Sequence, residues 1–166
     1  MNTIFIVSIA LIVFFFLLFV VQQLQERKKY KHPIYKSNLK QAIEFIHLIQ
    51  TLDDYVTWVD RDRIKTKYSS TGAFFKNKTN LYRREEVIEK FNRVFQDFDN
   101  YIIRYNQNYV KAQKEKLKQY FDDIEGKKLD EQQRTALITD EYSNLIIAGA
   151  GSGKTLTIIG KVKYLI

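Results

Sequence analysis

The chain has 166 residues and a formal net charge of +8, and it contains no cysteine. This length suits one domain, or one domain with an appendage. Without cysteine the chain cannot form a disulfide or a thiolate-bound metal site, and a reducing compartment is its simplest environment. The positive charge favours polyanionic partners, either nucleic acid or lipid headgroups, and does not predict a fold.

Near the start lies an apolar stretch, residues 3–21, in which only Thr3 and Ser8 are not apolar. A helix of this length would span roughly 28 Å, close to the ~30 Å hydrocarbon core of a bilayer. The stretch therefore predicts a transmembrane anchor in contact with the lipid bilayer. A cleaved signal peptide is one alternative, but the stretch lacks a basic start and a small-residue cleavage site. A buried helix of a soluble domain is the other alternative.

Basic residues follow the apolar stretch and predict its orientation. Residues 22–38 are interpreted as a basic juxtamembrane linker that includes Arg27, Lys28 and Pro33. Because no charged side chain precedes the apolar stretch, the positive-inside rule places the N-terminus outside and the rest of the chain in the cytoplasm. The sequence thus predicts a single-pass protein of the cell membrane.

Residues 39–125 have helical periodicity and predict a helical N-terminal domain. Apolar residues recur at spacings of three and four from Leu39 to Val59. This pattern is typical of an amphipathic helix of about twenty residues with one apolar face.

A second helical stretch is predicted at about residues 82–124. Its apolar stripe, from Val87 to Tyr105, alternates steps of four and three, as in a coiled coil. We expect this long helix to pack on the preceding one. A break or a kink is expected at residues 106–108, because asparagine is a poor residue for a helix interior. Gly126 fits a helix-ending glycine and marks the predicted domain boundary.

A basic region extends from Arg61 to Arg84 and contains a single acidic residue, Asp62. Aromatic residues are interleaved with its cations: Tyr68, Phe74, Phe75 and Tyr82. Cations that neutralise phosphates and rings that stack on bases suit a surface for single-stranded DNA. A solvated charged loop with its aromatic side chains in the core, or a patch against anionic lipid, are the alternatives. The candidate DNA-contacting residues are Arg61, Arg63, Lys65, Lys67, Lys76, Lys78, Arg83 and Arg84.

Close to the end of the chain, a short apolar run at residues 144–147 predicts a β-strand that leads into a glycine-rich turn and a helix. Glycines allow backbone N–H groups to approach phosphate oxygens, and a Lys-Thr pair at the helix start supplies a cation and a magnesium-binding hydroxyl. The segment therefore predicts a phosphate-binding P-loop, and an ordinary glycine-rich turn is the alternative. Its residues are Ala148, Gly149, Ala150, Gly151, Ser152, Gly153, Lys154 and Thr155.

Upstream of this loop, Asp130 and Gln133 have the spacing of a capping box at the start of a helix. That is a structural role for Gln133. Its amide can also donate and accept together, so it could pair with N6 and N7 of adenine. The sequence leaves both roles open.

The sequence Leu-Asp-x-x-Gln-Arg at residues 129–134, followed by the P-loop, resembles the opening of the UvrD/Rep-like superfamily 1 DNA helicases. The run from Tyr105 to Asp122 is similar to the helical N-terminal region of their helicase IV branch. The resemblance implies that residues 129–166 begin a RecA-like ATPase domain. Such a domain uses ATP and Mg²⁺ to move 3′ to 5′ along single-stranded DNA and to separate strands.

The resemblance also implies roles for individual residues. Gln133 would read the adenine of ATP. Lys154 and Thr155 would be the catalytic residues, and Thr155 would bind the magnesium ion. The β- and γ-phosphates would be held by Gly151, Gly153 and Lys154. Several relatives have an arginine beside the adenine where this chain has Leu156.

Catalysis in P-loop ATPases also requires an acidic residue at the end of a second strand and arginines that reach the γ-phosphate. In this family they follow the P-loop, so we expect the 166 residues to be the N-terminal part of a longer helicase and to be inactive alone. The predicted fold is mainly α: a transmembrane helix, a helical region, and the first β-α unit of an incomplete α/β P-loop domain. The alternative is a membrane-tethered helical binding or anchoring module with a vestigial P-loop.

Overall fold

The computed structural model of the chain describes residues 11–24, 32–76 and 86–166. Residues 11–24 are helical and are called α1. The helices that follow are α2 (Pro33–Gln50), α3 (Trp58–Lys76), α4 (Glu86–Gln96), α5 (Phe98–Lys116), α6 (Lys118–Asp122), α7 (Glu131–Ile138) and α8 (Lys154–Leu165).

The predicted transmembrane anchor at residues 3–21 is wrong. Residues 3–10 lie outside the described part of the chain, and residues 11–24 are helical. Within the described ranges, no helix combines the length and apolar character needed to cross a membrane. This finding contradicts the predicted single-pass topology and cell-membrane location, and it leaves the predicted contact with a lipid bilayer without support.

The predicted linker at residues 22–38 also differs from the structure. Residues 25–31 lie outside the described part, and α2 already begins at Pro33. Proline suits the first turn of a helix because its missing N–H would have no partner there. The Nδ1 atom of His32 accepts a hydrogen bond from the Ile34 N–H at 3.3 Å and caps the helix. Helical structure therefore starts six residues earlier than the apolar periodicity indicated.

The β-strand of the predicted β-α unit is absent. Residues 144–147 have no regular secondary structure, and the described ranges contain no strand. Leu145 and Ile147 are 86% and 88% exposed. A strand needs a neighbouring backbone to satisfy its N–H and C=O groups. In the described part of the chain no segment pairs with this run, so the apolar residues do not form a sheet.

The amphipathic helix predicted from Leu39 to Val59 is divided into two helices. α2 ends at Gln50, where the Thr51 hydroxyl donates to main-chain carbonyls of the last turn. The loop that follows is held by Asn106 of α5, which accepts from the Val56 N–H at 3.0 Å and donates to the Val56 carbonyl at 2.8 Å.

The long helix predicted at residues 82–124 is also divided, but not at residues 106–108. The breaks lie at Asp97, between α4 and α5, and at Leu117, between α5 and α6. Asn106 tolerates the interior of α5 because its amide bonds the loop before α3 through both its oxygen and its nitrogen. Residues 77–85 lie outside the described part of the chain.

The core of the helical region is built from aromatic rings around Phe45 of α2, which is completely buried. Its ring meets four others edge-on, with centroids 5.1–5.6 Å apart: Tyr68, Phe91, Phe95 and Phe98. Edge-to-face pairs of this kind contribute roughly 0.5–1.5 kcal/mol beyond the burial of their area. The rings join α2, α3, α4 and α5 into one packed unit.

A second, smaller core joins α6, α7 and α8. Phe121, Leu129 and Leu137 are 0–1% exposed there, and Leu156 and Ile159 of α8 pack against them. Because α5 also contacts α7, this core connects the helical region to the segment that carries the P-loop.

A carboxylate makes a further connection between the two parts. Glu141, which follows α7, accepts a hydrogen bond from the Tyr55 hydroxyl at 2.9 Å and another from the Trp58 N–H at 3.0 Å. Trp58 is the first residue of α3, so the carboxylate satisfies an otherwise unpaired N–H at a helix start. Burial and the bond to Glu141 raise the pKa of Tyr55 to about 12.

Candidate nucleotide-binding site

One side of the candidate site is the start of α7, where a capping box forms. The Asp130 carboxylate accepts from the Gln133 N–H at 2.8 Å, and the Gln133 Oε1 atom accepts from the Asp130 N–H at 2.9 Å. These reciprocal bonds satisfy two N–H groups that a helix start leaves unpaired. The structural role of Gln133 is therefore present in the fold.

The other side is the glycine-rich loop before α8. Gly151 and Gly153 have φ angles of 77° and 80°, in the left-handed region that glycine adopts without strain. Between them the Ser152 hydroxyl donates to the Gly149 carbonyl at 2.8 Å, which closes the turn. Gly153 is the N-cap of α8, so the loop leads directly into a helix whose first residue is Lys154.

The first turn of α8 carries the two residues expected to contact phosphate and magnesium. Lys154 is exposed, and its Nζ atom donates to the carbonyl of Ala148 at 2.8 Å. Thr155 is exposed beside it. The free N–H groups and the positive end of the dipole at a helix N-terminus favour an anion in this position.

Gln133 lies directly against the loop. Its Nε2 atom donates to the Ser152 carbonyl at 3.2 Å, and a Cβ atom placed on Gly153 would come within 2.6 Å of the same Nε2. The glutamine and the loop share the lining of a cavity of about 370 Å³, together with Ala136, Ile147, Ala148 and Lys154. The structure thus brings together the residues predicted to contact adenine and phosphate.

The magnesium prediction rests on Thr155. In the described ranges, no group of three or more His, Asp or Glu side chains could hold a metal ion. Mg²⁺ in nucleotide sites is commonly held by one or two carboxylates together with substrate phosphates and water, and in P-loop proteins the Ser or Thr hydroxyl after the lysine is a further ligand. One threonine hydroxyl in the first turn of α8 fits that mode of binding.

Two residues behind the site had no assigned role at the sequence level. The guanidinium of Arg134, which follows Gln133, donates from Nε to the Leu129 carbonyl at 2.9 Å and from Nη2 to Asp122 Oδ1 at 2.6 Å. The hydrogen bond from Arg134 holds the pKa of Asp122 below its usual range. The only sequence signal was the Gln-Arg pair itself, because Asp122 lies in a different helix.

The described part of the basic region lies on α3. Arg61, Arg63 and Lys65 are on α3, and each contacts a carboxylate: Asp62 at 3.0 Å, Asp60 at 2.7 Å, and Asp99 of α5. These pairs neutralise part of the charge that was expected to meet DNA.

The aromatic part of the basic region enters the core. Tyr68 and Phe75 are 2% and 0% exposed, so neither ring is available to stack on a base. Lys67 lies 4.9 Å from the Tyr68 ring centroid, and Lys76 is at the end of α3. The remaining candidates lie outside the described residues: Lys78, Tyr82, Arg83 and Arg84.

A glycine-rich loop with two left-handed glycines, followed by a helix that begins Lys-Thr, has the geometry of the P-loop class of nucleotide-binding proteins. Residues 129–166 match the family model of the UvrD/REP helicase N-terminal domain. The resemblance read from the sequence is therefore confirmed for this segment, which is UvrD-like.

A curated relative supports the same assignment. The chain is 30% identical over 81 residues to DNA helicase IV of Escherichia coli (strain K12). The matched part is 49% of this chain and 12% of the length of that helicase. No solved structure matches the chain.

Proposed function

We propose that the chain forms the N-terminal part of an ATP-dependent DNA helicase that moves 3′ to 5′ on single-stranded DNA. The observation that carries the proposal is the contact between Gln133 and the P-loop. An amide suited to adenine and a loop suited to phosphates line one cavity, and both belong to the segment that matches the UvrD/REP helicase domain.

In this proposal each residue at the cavity has a defined task. Gln133 pairs with the N6 and N7 atoms of adenine. The backbone N–H groups of residues 149–154 and the Lys154 ammonium hold the β- and γ-phosphates. Thr155 would hold the magnesium ion through its hydroxyl, and the ion would supply positive charge that offsets the charge of the phosphates.

The central test is Lys154→Ala in the complete helicase. We expect DNA-stimulated ATP hydrolysis to be lost, because the phosphates lose their cation. Folding should be unaffected, since the Lys154 side chain is exposed and its bond to the Ala148 carbonyl stays within the loop. Lys111→Ala, at an exposed position on α5, is the matched control and should leave hydrolysis unchanged. Full turnover in the Lys154 variant would refute the proposal.

We also propose that exposed cations of α3 contribute to contact with DNA. Arg63 has a side chain that is 72% exposed, whereas Arg61 and Lys65 both approach Asp99. Charge reversal of Arg63 and Lys67 is therefore a cleaner test than reversal of the residues that hold α5. Loss of each phosphate contact should reduce the slope of log K against log salt by about 1. An unchanged slope would exclude DNA contact by these two side chains.

A further inference from the structure

Arg134 is nearly buried, with a side chain that is 11% exposed, and it connects two parts of the fold. Its guanidinium bonds Asp122 at the end of α6 and the carbonyl of Leu129 just before α7, and it lies 5.7 Å from the centroid of the Phe121 ring. A buried charge that lost its partner would be strongly destabilising, so the guanidinium is confined to this arrangement.

The segment that Arg134 contacts, residues 121–129, is also held by backbone hydrogen bonds. The Leu129 N–H donates to the Phe121 carbonyl at 2.9 Å, and Ile124 and Lys127 pair with each other through two backbone bonds. Gly126 closes this turn with a φ of 73°. Asp122 therefore links the position of the helical region directly to the first turn of α7.

Gln133 precedes Arg134 in the same first turns of α7, and the two side chains have different surroundings. Arg134 is held by α6 and the turn after it, whereas the Gln133 amide faces the P-loop cavity. Any shift of the start of α7 relative to α6 moves the glutamine relative to the loop. The placement of the base-reading amide thus depends on a carboxylate outside the nucleotide cavity.

We propose that Asp122 and Arg134 are positioning residues for adenine selection: the ion pair fixes the start of α7 so that Gln133 meets the adenine edge and not the edge of another base. This inference rests on the proposed function. Adenine presents a donor at N6 and an acceptor at N7, whereas guanine presents acceptors at O6 and N7. A correctly placed amide therefore accepts ATP and opposes GTP, and a displaced amide loses that distinction.

The test compares kcat/KM for ATP and GTP in DNA-stimulated hydrolysis by the complete helicase. Asp122→Ala removes the acceptor of Arg134, and we expect the preference for ATP to fall on the order of tenfold, since misplacement of a positioning group by 1 Å can cost up to about 100-fold. The loss should appear in the KM for ATP, while kcat at saturating ATP stays near the wild-type value. Asp122→Asn retains an acceptor oxygen and should restore most of the preference.

Two further variants separate positioning from general support of the fold. Lys128 lies 3.4 Å from the same Oδ1 atom of Asp122 and has a side chain that is 69% exposed, so Lys128→Ala is a matched control that should not alter the preference. Gln133→Glu retains the capping box but loses the donor for N7. If Asp122 acts through Gln133, the double variant Asp122→Ala with Gln133→Glu should show the preference of Gln133→Glu alone.

The outcomes are distinct. Equal losses of kcat with ATP and GTP in Asp122→Ala, independent losses in the double variant, or a wild-type enzyme that does not prefer ATP would each overturn the inference. The Lys154→Ala experiment judges the proposed function separately, because loss of hydrolysis there does not depend on which base is selected.

Discussion

The glycines of the P-loop allow its backbone conformation to be tested apart from its contact with Gln133. Gly149 has no positive φ, and no atom lies within 4 Å of the position that a Cβ would take there; Gly151 has a φ of 77° with the same open space. Gly153 has a φ of 80°, and its Cβ position lies 2.6 Å from Gln133 Nε2. Alanine at Gly149 therefore perturbs neither the backbone conformation nor the contact with Gln133. Alanine at Gly151 perturbs only the backbone conformation, and alanine at Gly153 perturbs both.

The magnitudes follow from these differences. Gly149→Ala should be neutral or should raise the free energy of unfolding by up to about 1 kcal/mol, because alanine reduces the conformational entropy of the unfolded chain. Gly151→Ala places a Cβ in the left-handed region and should cost roughly 1–2 kcal/mol. Gly153→Ala should cost that amount and in addition about 1 kcal/mol for the displaced bond between Gln133 Nε2 and the Ser152 carbonyl.

The assay is equilibrium urea unfolding of the chain and its three variants, monitored by far-UV circular dichroism. Addition of Gln133→Ala should relieve the extra cost of Gly153→Ala but not the cost of Gly151→Ala, since only the former arises from contact with the amide. Equal destabilisation by all three alanines, or an extra cost at Gly153 that persists without the glutamine side chain, would refute this reasoning.

Two other predictions concern a closely packed glycine of α3 and the ion pair of Asp122. Gly72→Ala would bring a Cβ to 2.3 Å from Cε1 of Phe95, whose ring stacks on Phe91 and cannot easily move. The free energy of unfolding, measured by thermal unfolding, should therefore fall by about 1–3 kcal/mol despite the better helix propensity of alanine. The bond from Arg134 lowers the pKa of Asp122, so this carboxylate stabilises the fold above its unfolded pKa of about 3.9 and loses that effect as the pH falls through the folded value. Urea midpoints measured from about pH 6 to pH 2 should show a smaller decline in Asp122→Asn than in the wild type, and an identical decline would contradict the assigned cause.

The local parts of the site were predictable from the sequence. The capping box needs only Asp130 and Gln133 at the correct spacing, and the P-loop needs only glycines before a Lys-Thr pair. Both depend on contacts between residues close together in the chain. The contact that joins them, between Gln133 and Ser152, spans 19 residues and was suggested only by the family resemblance.

Contacts between distant segments explain where the predictions were wrong. Asn106 was expected to end a helix because of its intrinsic propensity, but its amide is satisfied by Val56, 50 residues away. In the basic region the partners of Arg61 and Arg63, Asp62 and Asp60, are local, but Asp99, the partner of Lys65, comes from α5 and could not be recognised as a partner from the sequence. The strand at residues 144–147 has the required composition, but a strand is defined by a pairing partner and not by its own residues.

The bonds that the site makes to itself have a consequence for turnover. The Lys154 side chain donates a hydrogen bond to the Ala148 carbonyl, and the Gln133 side chain donates one to the Ser152 carbonyl. A nucleotide bound as proposed would replace these two hydrogen bonds with bonds to its own atoms. Each new bond would therefore add to the binding free energy only the difference between the new bond and the one that it replaces. The same carbonyls would receive the side chains again when product leaves. If the proposed function is correct, this exchange of partners leaves neither donor unpaired at either stage and would favour rapid release of a spent nucleotide over tight retention.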